Sequence, residues 1–419
     1  MTIYLQCGFM KSFDIPTYYL SPLISRIKAF RKKEDRMKKD FTPTLIDLID
    51  IRFHIARHFG FCYGVENAIE IAFKTVSENE NKRIFLLSEM IHNPKVNDDL
   101  KSHGVQFIQD TKGNSLVDWS EITSEDIVIV PAFGTTLEIE ALLKEKGINP
   151  LQYNTTCPFV EKVWNRSSQI GKKGYSIIVH GKPIHEETRA TFSHSDAFAP
   201  TLVIKNMEEA ISLKKYLTKE ASLEEFEQEF KGRYSDNFNP LEDLEKIGVV
   251  NQTTMLAEDT QAIADYLKAS MSEIHKLNED TIKERFADTR DTLCYATNDN
   301  QSAVKGMLEV DADLAFVVGG YNSSNTSHLV ELCEEKLPTF YIKDSDEMES
   351  VENIRHFDFH NGQMMSTKNY FPTKRPLDIL ITAGASCPDI EVEKVMAKIA
   401  ELLGLDWDEE KLITQFSLT

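Results

Sequence analysis

The stretch HFGFCYGVENAIEIAF, His58 to Phe73, sets Cys62 between Gly60 and Gly64 at the head of an apolar run with helical period. It opens a plan that the chain repeats. After Cys62 come a helical run, the strand-like RIFLLSEM and the polar loop IHNP, with His92 thirty positions beyond the cysteine. Cys157, in NTTCPFVEKVW, leads through a helix and the strand YSIIVHG to KPIHEET, with His185 twenty-eight positions on. Cys294, in DTLCYATNDNQSAV, leads through LAFVVGG to YNSSNTSH, with Ser323 twenty-nine positions on. Each unit then offers a second apolar strand that ends in a small polar loop: DIVIVPAFGTT, KIGVVNQTT and DILITAGAS.

Short runs of Val, Ile and Leu between helical segments are the sequence form of parallel sheets covered by helices. The pattern predicts an α/β protein of three similar units in a pseudo-threefold arrangement. Ligands of such sheets collect beyond the carboxyl ends of the strands, so three cysteines and six loops are expected at one centre. The expected division is an N-terminal extension over 1–50, a first unit over 51–156, a second over 157–293, a third over 294–392 and a C-terminal segment over 393–419.

At 419 residues the chain is long enough for more than one core. Its net charge of −20, from 67 acidic against 47 basic residues, opposes nonspecific binding to nucleic acid. No apolar run approaches the ~18 residues of a membrane span, and the first residues lack the pattern of a secretory signal, so a cytoplasmic protein is expected. Residues 26–39 carry eight basic positions in fourteen, interrupted by Glu34 and Asp35, and read as a solvated helix face on a structured arm. The acidic stretch 219–246 reads as a surface insertion, which loop-closure entropy tolerates.

The six cysteines, at 7, 62, 157, 294, 333 and 387, are far apart and form no CxxC pair. That excludes a zinc ribbon and a secreted disulfide framework. One cysteine in an apolar segment is ordinarily a small core residue; three at equivalent places in three repeats are not. Cys7, Cys333 and Cys387 lack such a correspondence and read as structural. Structural zinc usually takes four protein ligands, often closely paired, whereas thiolates hold iron-sulfur clusters, and three ligands on a four-iron cluster leave one iron for substrate. Gly60 and Gly64 are expected to let backbone and cluster approach closely.

At these residues the chain resembles the 4-hydroxy-3-methylbut-2-enyl diphosphate reductases, which close the methylerythritol phosphate route to isoprenoids. The resemblance rests on GFCYGVENAI, EMIHNP, NTTCPFVEKVW, VHGKPIHEET, NQTTML, NSSNTSH and TAGASCPD, and runs from about residue 52 to 392. PAFG and the acidic insertion place it nearer the plant and cyanobacterial branch than the shorter bacterial form. The resemblance implies one 4Fe-4S cluster per chain, on Cys62, Cys157 and Cys294. It also implies a two-electron, two-proton removal of the substrate hydroxyl, giving isopentenyl and dimethylallyl diphosphates.

Carried over residue by residue, it makes Glu187 the proton donor and Thr253 the residue that contacts the hydroxyl region and orders the proton path. His92, His185, Ser323, Ser324, Asn325 and Ser386 become the diphosphate set. Hydroxyls, amides and helix N-termini suit a diphosphate without a basic patch, which lets so acidic a chain hold an anion. Thr253 could also cap the helix after it, and Asn325 and the serines the helix SHLVELCEE. Gln252 is expected to orient Thr253. Glu186, where the common bacterial form has proline, reads as an exposed carboxylate at a helix start. Phe133 replaces a histidine of that form and puts the geometry of diphosphate binding in the first unit in question; His103 is in the wrong register to substitute for it.

No GxGxxG follows a strand and no Walker loop is present, so electrons must come from a docking partner such as ferredoxin or flavodoxin. The basic arm Arg26–Lys39 is expected to contribute to the rim that receives it. A noncatalytic iron-sulfur sensor on the same scaffold is the competing reading, and it would not need Glu187, Thr253 or the diphosphate set. A zinc hydrolase is disfavoured, because three thiolates make zinc a poor Lewis acid.

Overall fold

Parallel strands whose residues are all buried need helices on both faces, and the apolar runs meet that need three times over. The structure, a computed structural model, describes residues 13–236, 238–287 and 292–416. In the first unit, Ile84–Leu86 lies between Gln106–Phe107 and Ile127–Ile129, all parallel. In the second, Ser176–His180 and Ile247–Asn251 are central, with Thr201–Ile204 and Phe286–Ala287 at the edges, again parallel. In the third, Leu314–Val318 and Leu377–Ala383 pair in parallel, with Thr339–Ile342 on one side. An antiparallel hairpin, Asn353–Asp358 with Gln363–Lys368, forms a separate two-stranded sheet whose second strand is largely exposed and whose Ile354 enters the third core. No helix of the described residues is long and apolar enough to cross a membrane.

Each cysteine of the repeat starts a helix that packs on its own unit. Tyr63–Glu78 buries Val65, Ala68, Ile69 and Ala72 in the first core. Pro158–Gly171 buries Val163 and Ile170 in the second, and Tyr295–Met307 buries Ala303, Val304 and Met307 in the third.

The strand Ile51–Ile55 falls outside the division expected for it. It pairs in parallel with Leu377–Ala383, in the third sheet, and Thr44–Asp47 pairs antiparallel beyond it. Asp378, 3% exposed, supplies the reason: it accepts from Arg52 and meets His54 Nε2 at 2.7 Å, so two polar side chains of the strand satisfy one buried carboxylate. Ile51, Phe53 and Ile55 fill the core on the other face. The expected boundary at residue 392 likewise falls inside a helix, Asp389–Leu402, whose Val395, Met396 and Ile399 belong to the third core.

The arm contributes a helix too, Pro22–Glu34, begun by Ser21, whose hydroxyl accepts from the Ile24 amide at 2.8 Å. Leu23, Ile24 and Ile27 enter the third core, so only part of the basic face meets solvent. Arg31, largely buried, pairs with Asp40 at 3.0 Å, and Lys28 pairs with Asp389 at 2.7 Å. The acidic stretch 219–246 is more than a surface insertion. Its helix Leu223–Phe230, begun by a capping box between Ser222 and Glu225, drives Phe226 and Phe230 into the second core. Phe238 stacks on Phe226 with centroids 5.5 Å apart, which turns an acidic segment into a core layer.

Candidate functional site

A helix that begins at the end of a parallel strand turns its first amides toward the centre of the sheet edge, and a residue at that place sees the positive end of the helix. Cys62, Cys157 and Cys294 each occupy the N-cap, with extended backbone. Their own amides tie them to the neighbouring units. Cys62 N–H donates to Ala385 O at 3.2 Å, Cys157 N–H to Ala132 O at 2.9 Å and Cys294 N–H to Thr253 O at 3.2 Å. The three acceptors lie in the loops that end Leu377–Ala383, Ile127–Ile129 and Ile247–Asn251, so the bonds run from unit to unit and close a ring.

The three side chains line one cavity. Gly64 is required there: a Cβ on it would stand 2.5 Å from Cys157 Sγ. Gly60 serves another purpose, because its backbone has φ +77° and its vacant side meets the Lys28–Asp389 ion pair. Burial pushes all three thiols up, Cys294 to about 12, and the charge of Cys62 adds to the rise at the other two. First-turn amides act the other way, Gly64 and Val65 at Cys62, Phe159 and Val160 at Cys157, Ala296 and Thr297 at Cys294. Such thiols ionise together only with a cationic group among them. Among the described residues, no three His, Cys, Asp or Glu are gathered to hold a single metal ion. Cys333 and Cys387 are fully buried in the third core and do not line the cavity, while Cys7 lies outside the described residues.

The remaining expected residues open onto the same cavity: Glu187 and Thr253, then His92, His185, Ser323, Ser324, Asn325 and Ser386. Helix Glu186–Asp196 positions Glu187. Its N-cap, His185, accepts the Glu187 amide at Nδ1, 3.2 Å away. Burial and the charges of His92 and Lys182 hold His185 well below the usual histidine range, so Nε2 carries the proton of a neutral ring and is a donor. Glu187, 1% exposed, accepts the Thr253 amide at 2.5 Å, and burial pushes its carboxyl up to about 7. That is a buried acid able to hold a proton near neutrality. Thr253 is not a helix cap: the next helix, Ala257–His275, begins after Leu256. Gln252 bonds Thr254, Thr188 and the Lys182 amide rather than Thr253.

Two kinds of polar wall face the acid. In the third unit Ser323 caps helix Ser324–Glu334, accepting the Thr326 amide at 3.2 Å. Ser324 Oγ and Asn325 Nδ2 are buried without any hydrogen-bond partner, while Asn325 Oδ1 accepts the Ala385 amide at 2.9 Å. Ser386 Oγ donates to His92 O at 3.2 Å. Orphaned buried donors beside a cavity are the signature of a site shaped for an acceptor-rich ligand.

Beside it, in the loop of the first unit, His92 stacks on Phe133, centroids 4.2 Å apart, with His185 edge-on at 4.9 Å. Phe133 therefore keeps a place in this corner, as a ring against His92 rather than as a donor. Glu186 is not exposed: at 7% exposure it meets His92 Nε2 at 2.8 Å and accepts from Ser88 Oγ. Sequence reasoning missed it, and only the doublet HEE pointed to it. His103 ends helix Pro94–Ser102 on the surface, its Nδ1 2.7 Å from Asp99 O, outside the cavity.

A buried acid, a wall of hydroxyl and amide donors and three thiols, drawn from three α/β units onto one cavity, make an α/β protein with a candidate active centre between units. The chain belongs to the LytB family: the family model described as LytB protein matches residues 53–400. A 4-hydroxy-3-methylbut-2-enyl diphosphate reductase of Picosynechococcus sp. is 38% identical over 351 residues, 84% of this chain and 84% of that protein. A chloroplastic protein of the same name from Botryococcus braunii is 37% identical over 84% of this chain and 69% of its own length. The solved structure of the E-1-hydroxy-2-methyl-but-2-enyl-4-diphosphate reductase from Plasmodium falciparum shares the fold, with a TM-score of 0.60 at 22% identity, over 84% of this chain and 88% of that one.

Proposed function

We propose that the chain reduces (E)-4-hydroxy-3-methylbut-2-enyl diphosphate to isopentenyl and dimethylallyl diphosphates, using a 4Fe-4S cluster on Cys62, Cys157 and Cys294. The observation that carries the reading is the single cavity shared by three thiols, a protonatable acid and orphaned donors. The donor set fits a cluster, since three buried thiols that resist ionisation separately need a strongly cationic group to ionise together. Bound there, a cluster would pass on two electrons from an external donor, one at a time, and offer a Lewis-acidic iron to the hydroxyl.

The residues do the rest. The C–O bond breaks, the oxygen leaves as water, and two electrons and two protons are consumed. Glu187 holds one of those protons at its carboxyl, oriented by the Thr253 amide. Ser324 Oγ, Asn325 Nδ2 and neutral His185 offer donors to the diphosphate, whose burial excludes water from the reacting end. Electrons would arrive from an external carrier such as ferredoxin or flavodoxin in the cytoplasm. Lys38 supports a role for the basic arm in receiving it: its ammonium lies 5.9 Å from the ring of Tyr295, the residue after Cys294.

Anaerobic purification with iron and sulfide quantified, followed by substrate and a strong one-electron reductant, tests the reading. The expected result is about four irons per chain and substrate-dependent product. Zinc without sulfide would end the cluster reading, and an intact cluster without turnover would favour the sensor. Cys62→Ser, Cys157→Ser and Cys294→Ser should each lose cluster and activity, whereas Cys333→Ser should lose neither.

A further inference from the structure

A diphosphate carries several negative charges, yet among the described residues no lysine or arginine lines the cavity. Behind its donor wall stands Lys182, in the loop after strand Ser176–His180 of the second unit. The Lys182 ammonium lies 3.3 Å from Ser327 Oγ of the third unit, and that hydroxyl donates to Ser324 O at 3.0 Å. Ser324 is the residue whose own Oγ is buried without a partner in the wall of the cavity. Lys182 also stands near enough to His185, another lining residue, for its charge to bear on that ring. We propose that Lys182 is the counter-charge of the bound diphosphate, acting from behind the wall of Ser323, Ser324 and Asn325 without touching the substrate. The proposal rests on the reading of this cavity as a diphosphate site.

The empty protein holds this cation at a cost. Lys182 is partly buried, and burial draws its ammonium below the usual lysine range. Its hydrogen-bond partner is a neutral hydroxyl rather than a carboxylate. The carboxylate whose charge offsets the burial is Glu331, and its Oε2 is already engaged, 3.0 Å from His328 Nδ1. Ser327 belongs to the opening residues of helix Ser324–Glu334, where free amides and the helix dipole present positive charge, so the ammonium meets its own sign. A diphosphate at that helix N-terminus reverses both effects, matching the cation and lying on the favourable side of the dipole. Coulomb attraction falls only as the first power of distance, so a charge one residue behind the donors still acts where water is excluded. The neutral donors in front would set orientation, and the ammonium behind them affinity. A lysine that merely tied the second unit to the third would stabilise the empty protein, whereas a counter-charge does not, so the two roles predict opposite signs.

The test uses anaerobically purified holoprotein in wild type, Lys182→Met and Lys182→Arg. Calorimetry reads binding of inorganic pyrophosphate, and denaturant unfolding reads the stability of the ligand-free protein. Lys182→Met should weaken binding about tenfold, with iron and sulfide per chain unchanged. Without ligand it should unfold at the same denaturant concentration as wild type or a higher one. Lys182→Arg keeps the charge and should bind within about threefold of wild type. At steady state Lys182→Met should raise KM while kcat at saturation stays near the wild-type value. Equal losses of affinity in Lys182→Met and Lys182→Arg would show that shape rather than charge is at stake and overturn the proposal. A Lys182→Met protein that unfolds earlier than wild type, or fails to fold, marks a structural tie between units and overturns it as well. Wild-type protein that binds no pyrophosphate overturns the diphosphate reading and this one with it, whereas wild-type binding beside an indifferent Lys182→Met overturns the counter-charge alone.

Discussion

The two walls of the cavity hold their polar groups in opposite states. On one, Glu186 bonds both His92 and Ser88, and Glu187 is tied to the Thr253 amide. On the other, Ser324 Oγ and Asn325 Nδ2 are buried with nothing to bond. A wall satisfied from within keeps its geometry before substrate arrives. A wall of orphaned donors costs the folded protein free energy that a ligand returns. The pairing teaches how an acidic protein can bind a dense anion: rigid orientation on one side, stored donor capacity on the other.

Asn325→Asp would break the contrast most severely. It keeps the oxygen that accepts the Ala385 amide and exchanges an orphaned donor for a negative charge. Pyrophosphate affinity, read by calorimetry, should fall about a hundredfold.

Next comes the pH dependence of the satisfied wall. Burial raises the Glu187 carboxyl from 4.5 to about 7, so the folded protein binds this proton more tightly than the unfolded chain. The stabilisation is complete below the unfolded value and is lost as pH rises through about 7, and the proton available for catalysis disappears over the same upper limb. Turnover should therefore decline above pH 7 by about tenfold per unit in wild type. Glu187→Gln, with cluster and pyrophosphate binding kept, should show little turnover and no such limb; an active variant would overturn the assigned proton role.

The smallest effect is the most discriminating. Ser323 and Ser324 are adjacent and chemically identical, yet only Ser323 caps a helix. Ser323→Ala should cost about 1 kcal/mol of stability in denaturant unfolding. Ser324→Ala should cost none, or stabilise the ligand-free protein, while weakening pyrophosphate binding severalfold.

Much of the site was legible because its chemistry repeats locally. A cysteine before a helix, then a polar loop after a strand, is a pattern of neighbours in sequence, and it led to Cys62, Cys157, Cys294, His92, His185 and Ser323. What escaped depends on distant partners. Glu186 reads as exposed until His92 and Ser88 arrive from the first unit to satisfy it. Ile51–Ile55 alternates as an ordinary strand, and nothing near it announces that Asp378 will choose its place in the third sheet. In 219–246 the acidic composition masks Phe226 and Phe230, one helical turn apart and both facing the core. Gly60 shows the same limit from the other side: it looked like an allowance for the centre, and the Lys28–Asp389 pair is what stands against it.

The ring of amide bonds from Cys62, Cys157 and Cys294 bears on the order in which the centre forms as the chain is made. Cys157 and Cys294 find their acceptors, Ala132 and Thr253, in segments already synthesised. Cys62, first of the three to emerge, must wait for Ala385, near the far end of the chain. Contacts so remote in sequence carry the largest loop-closure cost and are the last available to a growing polypeptide. The first thiol is thus the last to be anchored, and the pairing of Ile51–Ile55 with Leu377–Ala383 waits on the same stretch. Until that strand is made, two anchored thiols stand without the third, and on the cluster reading proposed above, metal delivered early would meet an incomplete set of ligands.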